Sequence, residues 1–355
     1  MTRASDLAKL LTGGRTLGGT GEVIIKDIDT ADGSSPKITL QTGDTDIASA
    51  DVLGTIDFQA PDEGTGTDAI LVAAGIEAVS EGDFSSSSNA TSLVFKTGAS
   101  EAATEKVRVD SAGRVGIGIT PSAIADSTGV DSLQLGGSFL SHFDVDGGGT
   151  LSLSNNVFFD GSNNKAVFTD EASQYFQSGS EHVWRNSAST SAGANVTLTE
   201  VMRVNSIGAV TKPLQPAFLA GPLTGASAQS NLSTGSDVTI IVGNEIYDVN
   251  GDFTSNTSTA PVTGKYQLSA NVTYNHLDMD ASNVQSGIKT SNRNYINQID
   301  PDAFHEDADI ITLTLTVVAD MDANDTASVF YNQTGGSAQT DVGKETTTFS
   351  GCLLA

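Results

Sequence analysis

The stretch Tyr247–Tyr274, YDVNGDFTSNTSTAPVTGKYQLSANVTY, decides the fold. Its second half alternates without a break. Tyr266, Leu268, Ala270, Val272 and Tyr274 fall on one side; Lys265, Gln267, Ser269, Asn271 and Thr273 fall on the other. Successive side chains of extended backbone point to opposite faces, so this spacing predicts a strand with one buried face. Pro261–Gly264 supplies the turn that feeds it. A second run of the same period is Ile311–Val317, and a third candidate strand, Thr347–Leu354, closes the chain.

Composition agrees with an all-β chain. The 355 residues suffice for two or three domains. Glycine numbers 37 and aromatics make up 6%, which suits short strands joined by tight turns around little interior. Lys plus Arg is 17 against 43 Asp plus Glu, a net charge of −26. That excludes a phosphate-backbone partner, which needs basic patches, so no nucleic acid is expected. No apolar run reaches spanning length, so no membrane insertion is expected. Cys352 is the one cysteine, which rules out an intrachain disulfide. The first residues, MTRASDLAKLL, lack the apolar core of a signal peptide.

Taken in order, residues 1–22 read as a short helix and a glycine-rich lead. Leu7, Leu10 and Leu11 share one helical face. A helix this short is unstable alone, so it is either a frayed terminus or a docking segment for a larger assembly. From Val23 to about Thr120, candidate strands are Val23–Ile28, Lys37–Leu40, Gly54–Phe58, Ala69–Val79 and Leu93–Lys96. Ala69–Val79 has helical propensity, but Gly75 and its neighbours favour a buried strand. An internal repeat follows. Glu105-Lys-Val-Arg-Val-Asp-Ser-Ala-Gly-Arg-Val115 matches Glu200-Val-Met-Arg-Val-Asn-Ser-Ile-Gly-Ala-Val210, and upstream Leu93-Val-Phe-Lys-Thr97 echoes His182-Val-Trp-Arg-Asn186. Each copy predicts a hairpin turned by Asp/Asn-Ser-x-Gly. The expected modules are 23–121 and 122–211, with Leu151, Leu153 and Val157 alternating in the second. A Pro/Gly linker is expected at 212–225, and a C-terminal domain at 226–355.

Two resemblances attach to these residues. Tyr247, Asn250, Phe253 and Ala260-Pro261-Val-Thr-Gly264-Lys-Tyr266, with the closing Phe349-Ser-Gly-Cys-Leu-Leu354, resemble the signature of C1q-like domains. Thr259 and Cys352 stand where that family carries aromatics. The resemblance covers roughly Pro216 to Ala355 and implies a C1q/TNF-like jelly-roll head that forms trimers. Arg108-Val-Asp-Ser-x-Gly-x-Val-Gly-Ile-Gly118 resembles a repeat of bacteriophage tail fibres. Together they imply an elongated trimeric β-repeat fibre with a C-terminal jelly-roll head. Sparse aromatics give a physical reason beside the resemblance: such modules bury little alone, and three chains together would share a core.

The expected function is therefore attachment of a virion to the host bacterial surface. The N-terminus would dock to a tail or adaptor protein through Leu7, Leu10 and Leu11. The head would bind a surface glycan or an outer-membrane protein. The alternatives are a purely structural virion fibre or collar protein, and a depolymerase of surface polysaccharide. No enzymatic motif is present: Gly116-Ile-Gly118 lacks the third glycine of a dinucleotide loop, and His142, His182, His276 and His305 have no ligand spacing. In the head, Arg293, Tyr295, Phe304 and His305 have the aromatic and Arg character of binding hot spots, although Tyr295 and Phe304 could equally pack inside. Asp320, Asp322 and Asn324 offer oxygens at alternate positions, as at the start of a calcium loop, without its glycine and final Glu. Calcium, which some C1q-like domains bind, or a solvated turn both fit; no other cofactor is expected.

Overall fold

The computed structural model describes residues 32–33, 35–60, 70–124, 130–143, 149–221, 229–343 and 345–354. The docking leucines Leu7, Leu10 and Leu11, the candidate strand Val23–Ile28 and part of the expected linker lie outside them. The described chain is all-β; its one named helical element is a single 3-10 turn, Pro301–Ala303. It forms two compact units, Met1–Phe139 and Leu140–Ala355.

In the first unit the strands are β1 (Val52–Gln59), β2 (Val72–Ser80), β3 (Thr91–Thr97), β4 (Thr104–Val109), β5 (Val115–Ile117) and β6 (Val130–Leu135). They pair in chain order, antiparallel from β1 to β5 and parallel between β5 and β6. The expected strand is present from Val72 onward, but it is half-buried rather than buried, because one of its faces is left open. Lys37–Leu40 is not a strand: it is irregular, and Ile38 and Leu40 are exposed. Pro36 in front of it has no N–H for a ladder. β7 (Ser138–Phe143) follows.

The second unit opens with β8 (Thr150–Asn155), the small β9 (Val157–Phe159) and β10 (Asn164–Ala166) hairpin, then β11 (Asp170–Ser178), β12 (Glu181–Thr190), β13 (Thr199–Val204) and β14 (Val210–Thr211). The ladder runs β8-β11-β12-β13-β14.

The two repeat hairpins are one structure built twice. Asp110 Oδ1 accepts from the Ala112 and Arg114 N–H groups at 3.1 and 2.9 Å; Asn205 Oδ1 accepts from Ile207 and Ala209 at 3.2 and 2.9 Å. A backbone bond from Gly113 N to Asp110 O, and from Gly208 N to Asn205 O, closes each turn at 2.9 Å. Gly113 and Gly208 sit at φ of 81° and 84°, which explains the glycine. The Glu and Arg of each copy form the same fork: Arg108 donates Nε and Nη2 to Glu105, and Arg203 does so to Glu200.

The head is a two-sheet jelly-roll sandwich. Its strands are β15 (Ala217–Ala220), β16 (Val238–Thr239), β17 (Glu245–Val249), β18 (Phe253–Thr254), β19 (Thr257–Thr259), β20 (Gly264–Leu277), β21 (Ala281–Thr290), β22 (Asn294–Ile299), β23 (Ala308–Met321), β24 (Thr326–Gly335), β25 (Asp341–Val342) and β26 (Thr348–Leu353). One sheet runs β17-β15-β26-β20-β23 with β25 beside β20; the other runs β18-β19-β24-β21-β22 with β16 beside β24. Tyr266, Leu268, Ala270, Val272 and Tyr274 of β20 all enter the core, where Phe218 and Phe253 stack and Phe349 meets both edge-on. The alternation breaks at His276, where φ is +54° and no ladder partner faces it, so Leu277 rather than His276 turns inward.

One boundary is corrected. β15 lies inside the stretch expected as the linker 212–225, pairs with β26 and buries Phe218. The run Ala217-Phe-Leu-Ala220 is apolar enough to be a strand, and Pro216 stands just outside it, where its missing N–H costs nothing.

Candidate functional site

A sandwich presents its loops at two ends, and the candidate residues divide between them. At one end the β21–β22 hairpin tip meets the β23–β24 turn. Thr290 N and Thr290 Oγ1 both donate to Arg293 O at 2.9 Å. Asn292 Nδ2 reaches across to Asp320 O at 3.1 Å and Asp325 Oδ2 at 2.8 Å. Asp325 Oδ2 also accepts from Asp322 N at 2.9 Å. The Asp320 carboxylate is bound by Lys265. That hydrogen bond and ammonium charge, with Arg293 adding to them, hold its pKa below the usual carboxylate range.

This is the segment of the candidate calcium loop, Asp320, Asp322 and Asn324. Asp320 lies on the strand with a lysine for a partner, and Asn324 occupies a turn position at φ +75°. Among the described residues no three His, Cys, Asp or Glu side chains gather to hold a metal.

At the other end β22 stops at Ile299 because Asp300 and Pro301 follow. Asp300 Oδ1 accepts from Asp302 N at 3.3 Å and caps the Pro301–Ala303 turn. Phe304 and His305 come next and are exposed, Phe304 at 37%. Asp307 accepts from Met279 N at 3.0 Å and from Gln339 Nε2 at 2.7 Å, tying the loop down. Behind it Asp278 is buried. Burial pushes its pKa up, but donors from the Ser337 and Asp280 backbone and the Ser337 hydroxyl outweigh that and hold it below the ordinary value. Deeper still, Tyr331 donates its one hydroxyl proton to Gln333 Oε1 at 2.6 Å and accepts from the Thr340 hydroxyl at 3.0 Å, and burial pushes its hydroxyl up to about 12.

The four receptor candidates therefore do not form one patch. Arg293 precedes β22 and Phe304 and His305 follow it, and the 6 residues of that strand span about 20 Å. Tyr295 lies on the strand between them, half-buried against the head core. Arg293 is exposed at one end, and Phe304 and His305 form an adjacent exposed pair at the other.

A charged cleft of about 330 Å³ lies in the first unit, lined by Glu81, Ser92, Arg108, Asp110 and Arg114 among others. Glu81 accepts from Ser92 Oγ at 2.6 Å and from Ser111 N at 2.7 Å and Ser111 Oγ. Burial pushes Glu81 up, and these bonds with Arg114 nearby bring it below its ordinary value. Arg108 is held by Glu105 and Arg114 by Asp110, each at 2.6 Å. The cleft's charges are matched within it, which is the arrangement of a structural network. It was not anticipated from spacing, because Glu81 and Ser111 are 30 residues apart.

No family model and no curated protein matches the chain. Among solved structures, the globular domain of zebrafish complement 1qA protein is 17% identical with a TM-score of 0.27, over 40% of this chain and 98% of that one. Murine APRIL at pH 8.0 is 10% identical with a TM-score of 0.29, over 39% of this chain and 99% of that one. At such scores the jelly-roll assignment rests on the head's own strand order.

Proposed function

We propose that this chain is a bacteriophage tail fibre protein. Its head attaches the virion to the host bacterial surface, its N-terminal segment docks to a tail or adaptor protein, and it works as a homotrimer. The observation that supports this best is the order of parts: two copies of the same Asp/Asn-Ser-x-Gly hairpin, then a jelly roll ending the chain. A rigid sandwich offers loops for recognition, and the loop with exposed Phe304 and His305 has the character of a contact surface for a glycan or outer-membrane protein. Three identical heads per fibre would turn weak contacts into avidity. We read it as a binding protein and not an enzyme, since the one charged cleft described above has its ions paired to one another.

The test is fluorescently labelled full-length protein applied to a panel of bacterial strains, with phage infection of those strains as a second readout. Labelling confined to some strains, and protection of those strains from infection, is the expected result. Labelling of none would favour the structural virion role, and release of sugar fragments from the labelled strains would favour the depolymerase.

A further inference from the structure

The repeat sheets are inside out as single copies. In the first unit, Ile56, Ile76, Phe95, Val107, Ile117 and Leu135 face one another across six strands. The neighbouring row on the same face is Gly54, Ala78, Leu93, Val109, Val115 and Leu133. Neither row holds a charged or polar side chain. Yet this is the open face: Ile56 is 48% exposed, Phe95 38% and Leu135 50%. The opposite face carries Glu77, Lys96 and Arg108 and buries Ser92, Val94 and Gln134, the last bonded to Ser122 N at 2.7 Å from the segment after β5.

The second unit repeats the inversion. Leu153, Tyr175, Trp184 and Met202 form one row, and Leu151, Gln177, His182 and Val204 the next. No carboxylate or ammonium stands among them, and His182 Nδ1 is satisfied by the Tyr175 hydroxyl at 2.6 Å. Ser152, Ser154 and Val183 are buried on the far side, with Arg185 and Arg203. The internal repeat superposes the faces in register: Phe95 on Trp184, Val107 on Met202 and Val109 on Val204 are open and uncharged, whereas Lys96 on Arg185 and Arg108 on Arg203 are on the charged side.

We propose that these uncharged rows, bordered on the first sheet by Lys106 and Asp131, are the surfaces through which copies of this chain associate. The inference rests on the homo-oligomer of the proposed function and names where it is held. Three observations favour a second copy as the occupant. A chain of net charge −26 repels itself everywhere except where charge has been left out. A basic partner would be drawn to the acidic surface, not to a face that offers it no counter-charge. Strands about 4.8 Å apart give the six-strand face on the order of 400 Å² per copy and the four-strand face on the order of 250 Å², a substantial part each of the roughly 800 Å² per partner of a stable interface.

The test uses the full-length chain and its single tryptophan, Trp184. Acrylamide quenching of the wild type should be at least ~3-fold slower than that of free tryptophan at concentrations where sedimentation shows an oligomer, and should rise on dilution to monomer. Phe95→Lys and Leu153→Lys, one in each sheet, should weaken association on the order of 100-fold or more by burying an unpaired charge. Lysine lowers the net negative charge, so general repulsion cannot explain that loss. Thr55→Lys, on the opposite face, should leave association unchanged. An oligomer in which Trp184 is quenched as fast on assembly as in monomer overturns the proposal, whether or not the variants fold. So does protection of Trp184 that appears only when a bacterial polysaccharide is added, which would make the aromatic row a glycan platform. Strain labelling with no protected Trp184 would leave the attachment function standing and remove this inference; protected Trp184 with no labelling would do the reverse.

Discussion

In the head, β20 turns Tyr266, Leu268, Ala270, Val272 and Tyr274 into the sandwich, none more than 5% exposed. In the repeat sheet of the second unit, β8 leaves Leu151 and Leu153 at 41% and 57% and buries Ser152 and Ser154 at 3% and 7%. Both strands alternate with period two. The head supplies a second sheet to cover its apolar side; among the described residues nothing covers that of the repeat sheet. Alternation fixes which residues share a face, but what covers that face depends on elements far along the chain, or on another chain.

The sharpest way to break this contrast is a charge on each apolar side. Leu268→Asp should cost the head about 4 kcal/mol or more, because an unpaired carboxylate would sit in its core, read by chemical denaturation. Leu153→Lys in dilute solution should cost no more than about 0.5 kcal/mol, since that leucine already meets water. Equal losses from the two would erase the distinction between closed and open sheets.

Acid sharpens the same contrast from the head's side. Asp278 is held below its ordinary pKa in the fold, so it stays ionised where the unfolded chain takes up a proton. Its contribution is present above about pH 4 and is lost as pH falls below that, through its folded value. Asp278→Asn should remove about 2 kcal/mol near neutrality, through lost charge-assisted bonds, and flatten the head's acid dependence. An unchanged acid limb in that variant would contradict the assignment.

The smallest expected effects compare the repeat with itself. Gly113→Ala and Gly208→Ala each place a side chain at positive φ and should each cost about 1 kcal/mol. Since the turns share one geometry, the two losses should agree within error; a loss in only one would mean the copies have diverged in structure.

Much of this was legible in the sequence where the signal is local. The Tyr266–Tyr274 alternation gave the strand and its buried face, and Asp/Asn-Ser-x-Gly gave both hairpins. What local pattern does not carry depends on long-range pairing. Arg293 and His305 are near in sequence, but β22 runs straight between them and carries them to opposite ends. Lys265, the partner of Asp320, lies 55 residues upstream, so the Asp320–Asn324 spacing alone does not show it. Ala217–Ala220 passed for linker because prolines flank it, although its pairing with β26 makes it part of the head. The open faces were hidden for the same reason: leucine and serine alternate identically whichever of them is covered.

If copies of this chain complete each other's buried surface, sedimentation equilibrium of the intact protein at micromolar concentration should show a single species of three times the 36.4 kDa chain mass. A stable, folded species of one chain mass under those conditions would contradict it.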